Sequence, residues 1–523
     1  MKLPGRMNFA YLSAFFGGVL LVLSFPTFDL FPLAWFALIP LLVLLYDAPK
    51  KDSFKAGLLF GLIYFFGTVY WIYHSIHYYG SISFVPSLAI VFLLSLYLSL
   101  YTAAFCSLYS MIIRKTDLPA LLVAPVLWTS IELLRSYALS GFPWSSLGYS
   151  QYRFTVFIQS ADVIGVYGIS FLVMALNGAA ADYFIMKKRM VERPLYSRIY
   201  TLAGWVLLAV VIAGDLGYGL YRLNQQRPGA IINTAVIQGN IEQDRKWDPA
   251  YQKNVIDIYK GLTTEAVRHE AGAPGPDLVV WPETAVPFFF GSDKALSDDL
   301  VSFQKGIDSY LLFGSVLLKR EQKEAYSNST VLLTRDGSVS YIYDKIHLVP
   351  FGEYVPLRNV LFFINKLVVG VGDYIPGDSY IKAVTPFGSF ATPICYEIIF
   401  PGMVRKFYVR GGDFIVTVTN DAWFGKTNGP YQHFSMAVFR AIENRKPVIR
   451  AANTGISGFI DSSGRILTTS SLFSRTVLKT ELQTDRTITF YTKYGDLFSG
   501  LSIIMSVLLI IKFRIEIIGH KRR

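Results

Sequence analysis

Cysteine is almost missing from this sequence: there are two among 523 residues, Cys106 inside an apolar run and Cys395 in a more polar stretch. No disulfide framework can be built from them. Histidine is nearly as scarce, at six, and no grouping of His, Cys and Asp has the spacing of a metal site, so neither metal nor other cofactor is expected. Charge is sparse as well, 16% of residues against 52% hydrophobic, which is not the balance of a soluble protein. The first apolar run lacks a small-residue cleavage site and more runs follow at once, which argues against a cleaved signal peptide. Internal repeats and low-complexity segments are also missing.

Long uncharged runs are what the chain has instead. AGLLFGLIYFFGTVYWIYHSI and SLAIVFLLSLYLSLYTAAFCSLYSMII both exceed the roughly 18 to 20 apolar residues that cross a bilayer core. Eight spans are predicted, at residues 8–24, 31–45, 56–76, 86–113, 118–134, 169–186, 202–221 and 497–511. The fourth is long enough for two, but nothing basic or turn-like interrupts it, so it reads as one tilted or protruding helix. Residues 141–168 are too polar and too broken by Pro143, Gly148 and Gly165 to span, and read as an external loop or interfacial segment.

The net charge of +12 would suggest nucleic acid on a soluble domain, yet here its position gives another answer. Lys2, Arg6, Lys50, Lys51, Lys55, Arg114, Lys115, Lys187, Lys188, Arg189 and Arg193 fall in alternate short loops, whereas the opposite loops carry only Arg135 and Arg153. The excess is topological, and no nucleic-acid partner is expected. It predicts a cytoplasmic N-terminus and an external segment between the seventh and eighth spans. The expected organisation is seven spans in residues 1–223, a catalytic domain in 224–494, and an eighth span with a cytoplasmic tail in 495–523.

Within 224–494 the texture changes to short β-rich runs such as TAVIQGNI, DLVVWPE, STVLLT and DFIVTVTND, with helical patterns between them at 251–270 and 432–444. Strands alternating with helices predict a layered α/β domain whose site gathers where strands end. Three strand ends carry chemistry. One delivers Glu283 after Trp281 and Pro282, another delivers Lys345 and runs on to Glu353, and the third ends in Cys395, Tyr396 and Glu397. A thiol is mostly protonated at neutral pH and needs a base or a positive neighbour. Glu283 can be that base if burial raises its pKa, and Lys345 can support charge developing on an attacked carbonyl.

The order WPE, DKIHLVPFGEYVP, CYE and TNDAWFG resembles the nitrilase superfamily and, within it, the apolipoprotein N-acyltransferases. The resemblance extends to GFPWSSLGYSQ, QGNIEQDRKWDP and RAANTGISGFID. It implies an αββα sandwich joined to a membrane helix bundle and a catalytic triad of Glu283, Lys345 and Cys395, with Trp247, Glu353, Tyr396 and Glu397 binding substrate or supporting the site. It also implies ping-pong transfer of an acyl chain from the sn-1 position of a phosphatidylethanolamine-like phospholipid, through a Cys thioester. The acceptor is the α-amino group of the S-diacylglyceryl cysteine of an apolipoprotein. The enzyme would be a monomer of the bacterial inner membrane, surrounded by membrane lipids, with its catalytic domain on the periplasmic side.

Two other readings stand beside this one: a membrane-tethered nitrilase-type amidase in which water resolves the thioester, and a non-catalytic receptor or transporter. Apolar stretches at 286–290 and 360–369 are either core or lids that admit acyl chains, with Gly370, Gly372 and Gly377 allowing movement. His347 and His433 read as hydrogen-bonded structural groups, Asn420 and Asp421 as braces. Glu132 and Arg135 read as an ion pair or the mark of a functional cavity.

Overall fold

The computed structural model describes residues 4–116, 118–192, 194–226, 228–268, 274–319, 325–355 and 374–521. They fall into two compact units, one of residues 1–73, 84–225 and 494–523, the other of residues 74–83 and 226–493.

The first unit is helical: α1 Pro4–Ser24, α2 Ile39–Leu45, α3 Lys50–Val69, α4 Trp71–His74, which ends in the second unit, α5 Phe84–Lys115, α6 Ala120–Tyr137, α7 Ala161–Glu192, α8 Pro194–Leu223 and a C-terminal helix Leu497–Lys521. Among the described residues, five stretches are long and apolar enough to cross a membrane: Lys50–Val69, Phe84–Lys115, Phe157–Met186, Thr201–Leu223 and Leu497–Ile515. Residues 31–45, expected as a span, form a 3-10 turn Phe31–Trp35 and the seven-residue α2. Pro32 and Pro40 lie in the first turns of these two pieces, where proline starts a helix that it could not continue. Together they make one of the shorter apolar helices, below the roughly 20 residues that cross a bilayer core as a single helix.

Small residues let α3 and α5 approach. A Cβ on Gly57 would lie 2.6 Å from the Thr102 carbonyl oxygen, and one on Gly61 would lie 2.8 Å from Ser99 Cα. Spaced four apart, the two glycines share one face of α3.

Residues 141–168 are well packed, and α7 begins within them at Ala161. They fold into 3-10 turns at Leu147–Gln151 and Phe157–Ser160 that bury Trp144, Leu147, Tyr149, Phe157 and Ile158. Glu132 and Arg135 hold this segment. Glu132 accepts from Leu147 N at 2.7 Å and Trp128 Nε1 at 2.9 Å, while Arg135 donates to the carbonyls of Phe142 and Trp144 and to Ser146 Oγ.

The second unit is α/β. Its strands are β1 Ile231–Gln238, β2 Leu278–Val280, β3 Val286–Phe289, β4 Tyr310–Lys319, β5 Ala325–Leu333, β6 Val339–Asp344, β7 Ala383–Thr385, β8 Gly388–Ala391, β9 Phe414–Thr419, β10 Val448–Ala452, β11 Gly458–Ile460, β12 Ile466–Thr469 and β13 Thr476–Gln483. Its helices are α9 Gln243–Lys246, α10 Gln252–Val267, α11 Lys294–Lys305, α12 Pro401–Tyr408, α13 Gly429–Asn444 and α14 Phe490–Tyr494. One sheet has the order β13-β1-β2-β4-β5-β6, with β3 also on β4, and the other β12-β11-β10-β9-β8-β7. Helix α10 packs on the first, α13 on the second, and β1 contacts β10, so the layers stack helix, sheet, sheet, helix. The central pairs β1–β2, β2–β4, β8–β9 and β9–β10 are parallel, which aims several strand ends the same way.

The stretch 286–290 is core: Val286 and Phe288 are buried in one cluster with Trp281, Phe313 and Tyr259, and Phe290 packs on it. The stretch 360–369, with Gly370 and Gly372, lies outside the described residues. Gly377 is a close-packing position, since a Cβ there would meet the Asp344 carbonyl oxygen at 2.3 Å.

The α3–α5 contact yields a stability prediction. Gly61→Leu should destabilise the helical unit by about 1–3 kcal/mol through overpacking. Thermal unfolding in detergent should show a lower Tm than wild type, and an unchanged Tm would refute the close approach.

Candidate active site

Three strand ends meet: Lys345 lies beside Glu283, and Glu397 links the segments that carry Lys345 and Cys395. After β2, Trp281 is anchored by its N–H on the Leu312 carbonyl at 2.8 Å, by Nε1 on Thr263 Oγ1 at 2.8 Å, and by stacking on Tyr259. The next residues then have little freedom. Gly314 on β4 donates its N–H to the Pro282 carbonyl, and a Cβ there would fall 2.6 Å from Glu283 Cα. Glycine is required because the backbone carrying Glu283 lies directly on that strand.

Lys345 follows β6, with its N–H on the Asn328 carbonyl of neighbouring β5 at 2.8 Å. Its side chain is 1% exposed, and Nζ lies 3.0 Å from Glu353 Oε1 and 3.5 Å from Glu283 Oε1. Asn328 Nδ2 donates to the same two oxygens, at 2.7 Å to Glu283 and 2.8 Å to Glu353. The remaining carboxylate oxygens are also held: Glu283 Oε2 accepts from Asn420 N at 2.9 Å and Glu353 Oε2 from Val349 N at 2.8 Å. Burial pulls the Lys345 ammonium down, but Glu353 and Glu283, with smaller help from Cys395 and Glu397, outweigh it and raise the pKa above the ordinary lysine value.

Cys395 is buried and opens a 3-10 turn, Cys395–Ile399, with φ +50°. A left-handed backbone costs a non-glycine residue on the order of 1–3 kcal/mol and persists only where its surroundings enforce it. Burial pushes the thiol pKa up and the Glu283 charge pushes the same way; Lys345 and the Thr419 hydroxyl pull it down without winning. The resting sulfur is therefore protonated and must lose its proton as it reacts.

Glu397 ties the second and third strand ends together. Its buried carboxylate accepts from Ile346 N at 2.7 Å, His347 N at 3.0 Å, Ile394 N at 2.7 Å and Tyr343 OH at 2.9 Å. Burial lifts its pKa to about 7 against these donors. Tyr396 is half-buried beside Phe400 and His347, whose imidazole burial and Lys345 together depress to about 4. Trp247 is half-buried just beyond α9 and is one residue from Lys246.

Several contributors are invisible to motif reading. Asn328 bridges two carboxylates from the polar half of β5. Lys246, fully buried, donates to the Glu283 carbonyl oxygen at 3.1 Å and to Thr284 Oγ1 at 2.6 Å, and burial lowers it to about 7. The conspicuous QDRKWDP run was the available signal for it. The segment 74–83 reaches the unit at Trp423: Ser75 Oγ donates to the Trp423 carbonyl at 2.6 Å and His74 Nδ1 lies 3.2 Å from it. Asn420 braces Glu283, as its position after β9 suggests, with Nδ2 on Gln243 Oε1 at 2.7 Å.

Similarity to known proteins follows the same division. Residues 17–179 match the family model described as apolipoprotein N-acyltransferase N-terminal domain, and residues 233–491 match carbon-nitrogen hydrolase. The apolipoprotein N-acyltransferase of Geobacter metallireducens is 39% identical over 517 residues, covering 98% of this chain and 96% of that one. That of Pasteurella multocida is 32% identical, covering 97% and 96%. Among solved structures, a carbon-nitrogen hydrolase from Helicobacter pylori aligns at TM-score 0.38 and 18% identity over 48% of this chain and 89% of its own. Nit3 of Saccharomyces cerevisiae aligns at 0.37 and 18%, over 48% and 90%.

The electrostatics predict the behaviour of the thiol. Because its pKa is raised, iodoacetamide alkylation of Cys395 should still be climbing above pH 9, where an ordinary thiol of pKa near 8.5 levels off. Lys345→Met removes a neighbour that lowers the pKa and should slow alkylation at pH 8 by about tenfold, equivalent to ~1.4 kcal/mol. Equal rates in the two proteins would show that Lys345 does not act on the sulfur.

Proposed function

The chain belongs to the apolipoprotein N-acyltransferase family, and from that premise we propose that it moves an acyl chain from a phospholipid onto a lipoprotein. The donor is the sn-1 ester of a phospholipid of the phosphatidylethanolamine type. The acceptor is the α-amino group of an N-terminal S-diacylglyceryl cysteine.

The observation that carries the reading is the meeting of Glu283 and Lys345 at 3.5 Å, with both charges acting on the Cys395 sulfur. In the first half-reaction Cys395 Sγ attacks the ester carbonyl while its proton passes to the Glu283 carboxylate. The Lys345 ammonium supports the oxyanion. The carbon–oxygen bond then breaks, Glu283 returns the proton to the leaving alkoxide, and lysophospholipid departs from an S-acyl cysteine. In the second half-reaction the acceptor amine attacks the thioester and gives its proton to Glu283, which passes it to the departing thiolate. An amide-linked triacylated lipoprotein and the free thiol result. Glu353, Glu397 and Asn328 hold the lysine and base in place. Trp247 and Tyr396, both half-buried, are proposed to contact substrate.

The membrane-suited helices support a lipid substrate. Drawing an acyl chain into water costs about 0.8 kcal/mol per methylene, which a site at the bilayer surface avoids. We place that site on the periplasmic side of the bacterial inner membrane, as the distribution of basic loops suggests. A periplasmic activity reporter fused after Asn224 should be active, and a silent one would reverse the orientation.

Chemistry has its own assay. Full-length protein given radiolabelled phospholipid and a diacylglyceryl-cysteine peptide should form hydroxylamine-sensitive label on Cys395 and then labelled amide. Cys395→Ala should form neither, and Glu283→Gln should acylate about 10² to 10⁴ times more slowly through loss of the base. Release of free fatty acid in place of amide would instead indicate a hydrolase.

A further inference from the structure

Behind the nucleophile lies a buried polar cluster that the proposed reaction does not use. The Cys395 carbonyl oxygen accepts from His433 Nε2 at 3.1 Å. His433, on α13, is fully buried, and its Nδ1 lies 3.0 Å from Asp421 Oδ1 and 3.0 Å from an Arg450 guanidinium nitrogen. The same Arg450 nitrogen donates to Asp421 Oδ2 at 2.8 Å, Arg450 Nε donates to the Ile456 carbonyl at 3.1 Å, and Thr419 Oγ1 donates to Asp421 Oδ1 at 2.9 Å. Gly455 seals the cluster, because a Cβ there would fall 2.3 Å from Asp421 Oδ2.

Three ionisable side chains, each buried in the unit's interior, are an expensive way to fill space, since every charge and donor must find a partner. One of their bonds, from His433, reaches the nucleophile. Arg450 and Asp421 grip one edge of the imidazole, and the other edge meets the Cys395 carbonyl. A carbonyl oxygen only accepts, so the proton sits on Nε2 whichever state Nδ1 adopts.

We infer that His433 is a positioning residue: by holding the Cys395 carbonyl it fixes the plane of the Cys395–Tyr396 peptide and with it the aim of the sulfur. This effect on the sulfur does not depend on the acyl-transfer reading.

The test compares two amides in the full-length protein in detergent. The amide nitrogen of glutamine reaches the place of Nε2, whereas that of asparagine reaches only the place of Nδ1. His433→Gln should alkylate with iodoacetamide, and acylate from phospholipid, within about threefold of wild type, whereas His433→Asn should be at least about tenfold slower in both. In steady-state transfer the asparagine variant should lose kcat with KM for phospholipid changed less than about twofold. Equal rates for the two amides, with both variants melting as single folded species, would overturn the inference.

If either amide fails to fold, Asp421→Asn carries the test, because it loosens the grip on the imidazole without touching Cys395. It should slow alkylation by about threefold, and an unchanged rate would overturn the inference. Wild-type protein that takes no acyl label, with alkylation still separating glutamine from asparagine, would sink the acyl-transfer reading and leave His433 in its role.

Discussion

One buried ammonium organises the hydrolase unit. Lys345 has lost almost all contact with water, and an unpaired charge so placed would cost several kcal/mol. Its partners therefore have to be present. Glu353 meets it at 3.0 Å and Glu283 at 3.5 Å, from separate stretches of chain. Two carboxylates so close would repel each other, and Asn328, donating to both, along with the backbone amides of Asn420 and Val349, spreads their charge. This explains an asparagine buried in the middle of β5.

The same constraint reaches the nucleophile by two routes. Glu397 joins the amides of Ile346 and His347, beside the lysine, to that of Ile394, beside the cysteine, so the two strand ends cannot drift apart. Asn420 bonds Glu283, and next to it Asp421 leads through His433 to the Cys395 carbonyl. The strained backbone at Cys395 is thereby held from both sides, by a carboxylate on one and an imidazole on the other. Gly314 and Gly455 mark where this framework leaves no room for a methyl group.

How much could be read in advance depended on how local the signal was. Glu283, Lys345 and Cys395 stood out because each ends an apolar strand, and parallel strands gather such ends. Asn328 and Lys246 did not, since what makes them matter is a partner far away in sequence. Residues 31–45 are apolar but form two short pieces, the second starting at Ile39–Pro40. The polar texture of residues 141–168 is satisfied in part by Glu132 and Arg135. The stretch 286–290 could be core or lid on its apolar texture alone; pairing with β4 and packing on Trp281 and Phe313 make it core.

Ten residues between α3 and α5 belong, by their packing, to the hydrolase unit, where Ser75 and His74 share the Trp423 carbonyl and Tyr79 stands edge-on to the Trp423 ring at 4.8 Å. That unit is consequently discontinuous in the gene. Trimming the chain to its carbon-nitrogen hydrolase homology, or exchanging that portion between relatives as a cassette, discards a strip of the unit's own covering and bares an indole that the intact polypeptide keeps dressed.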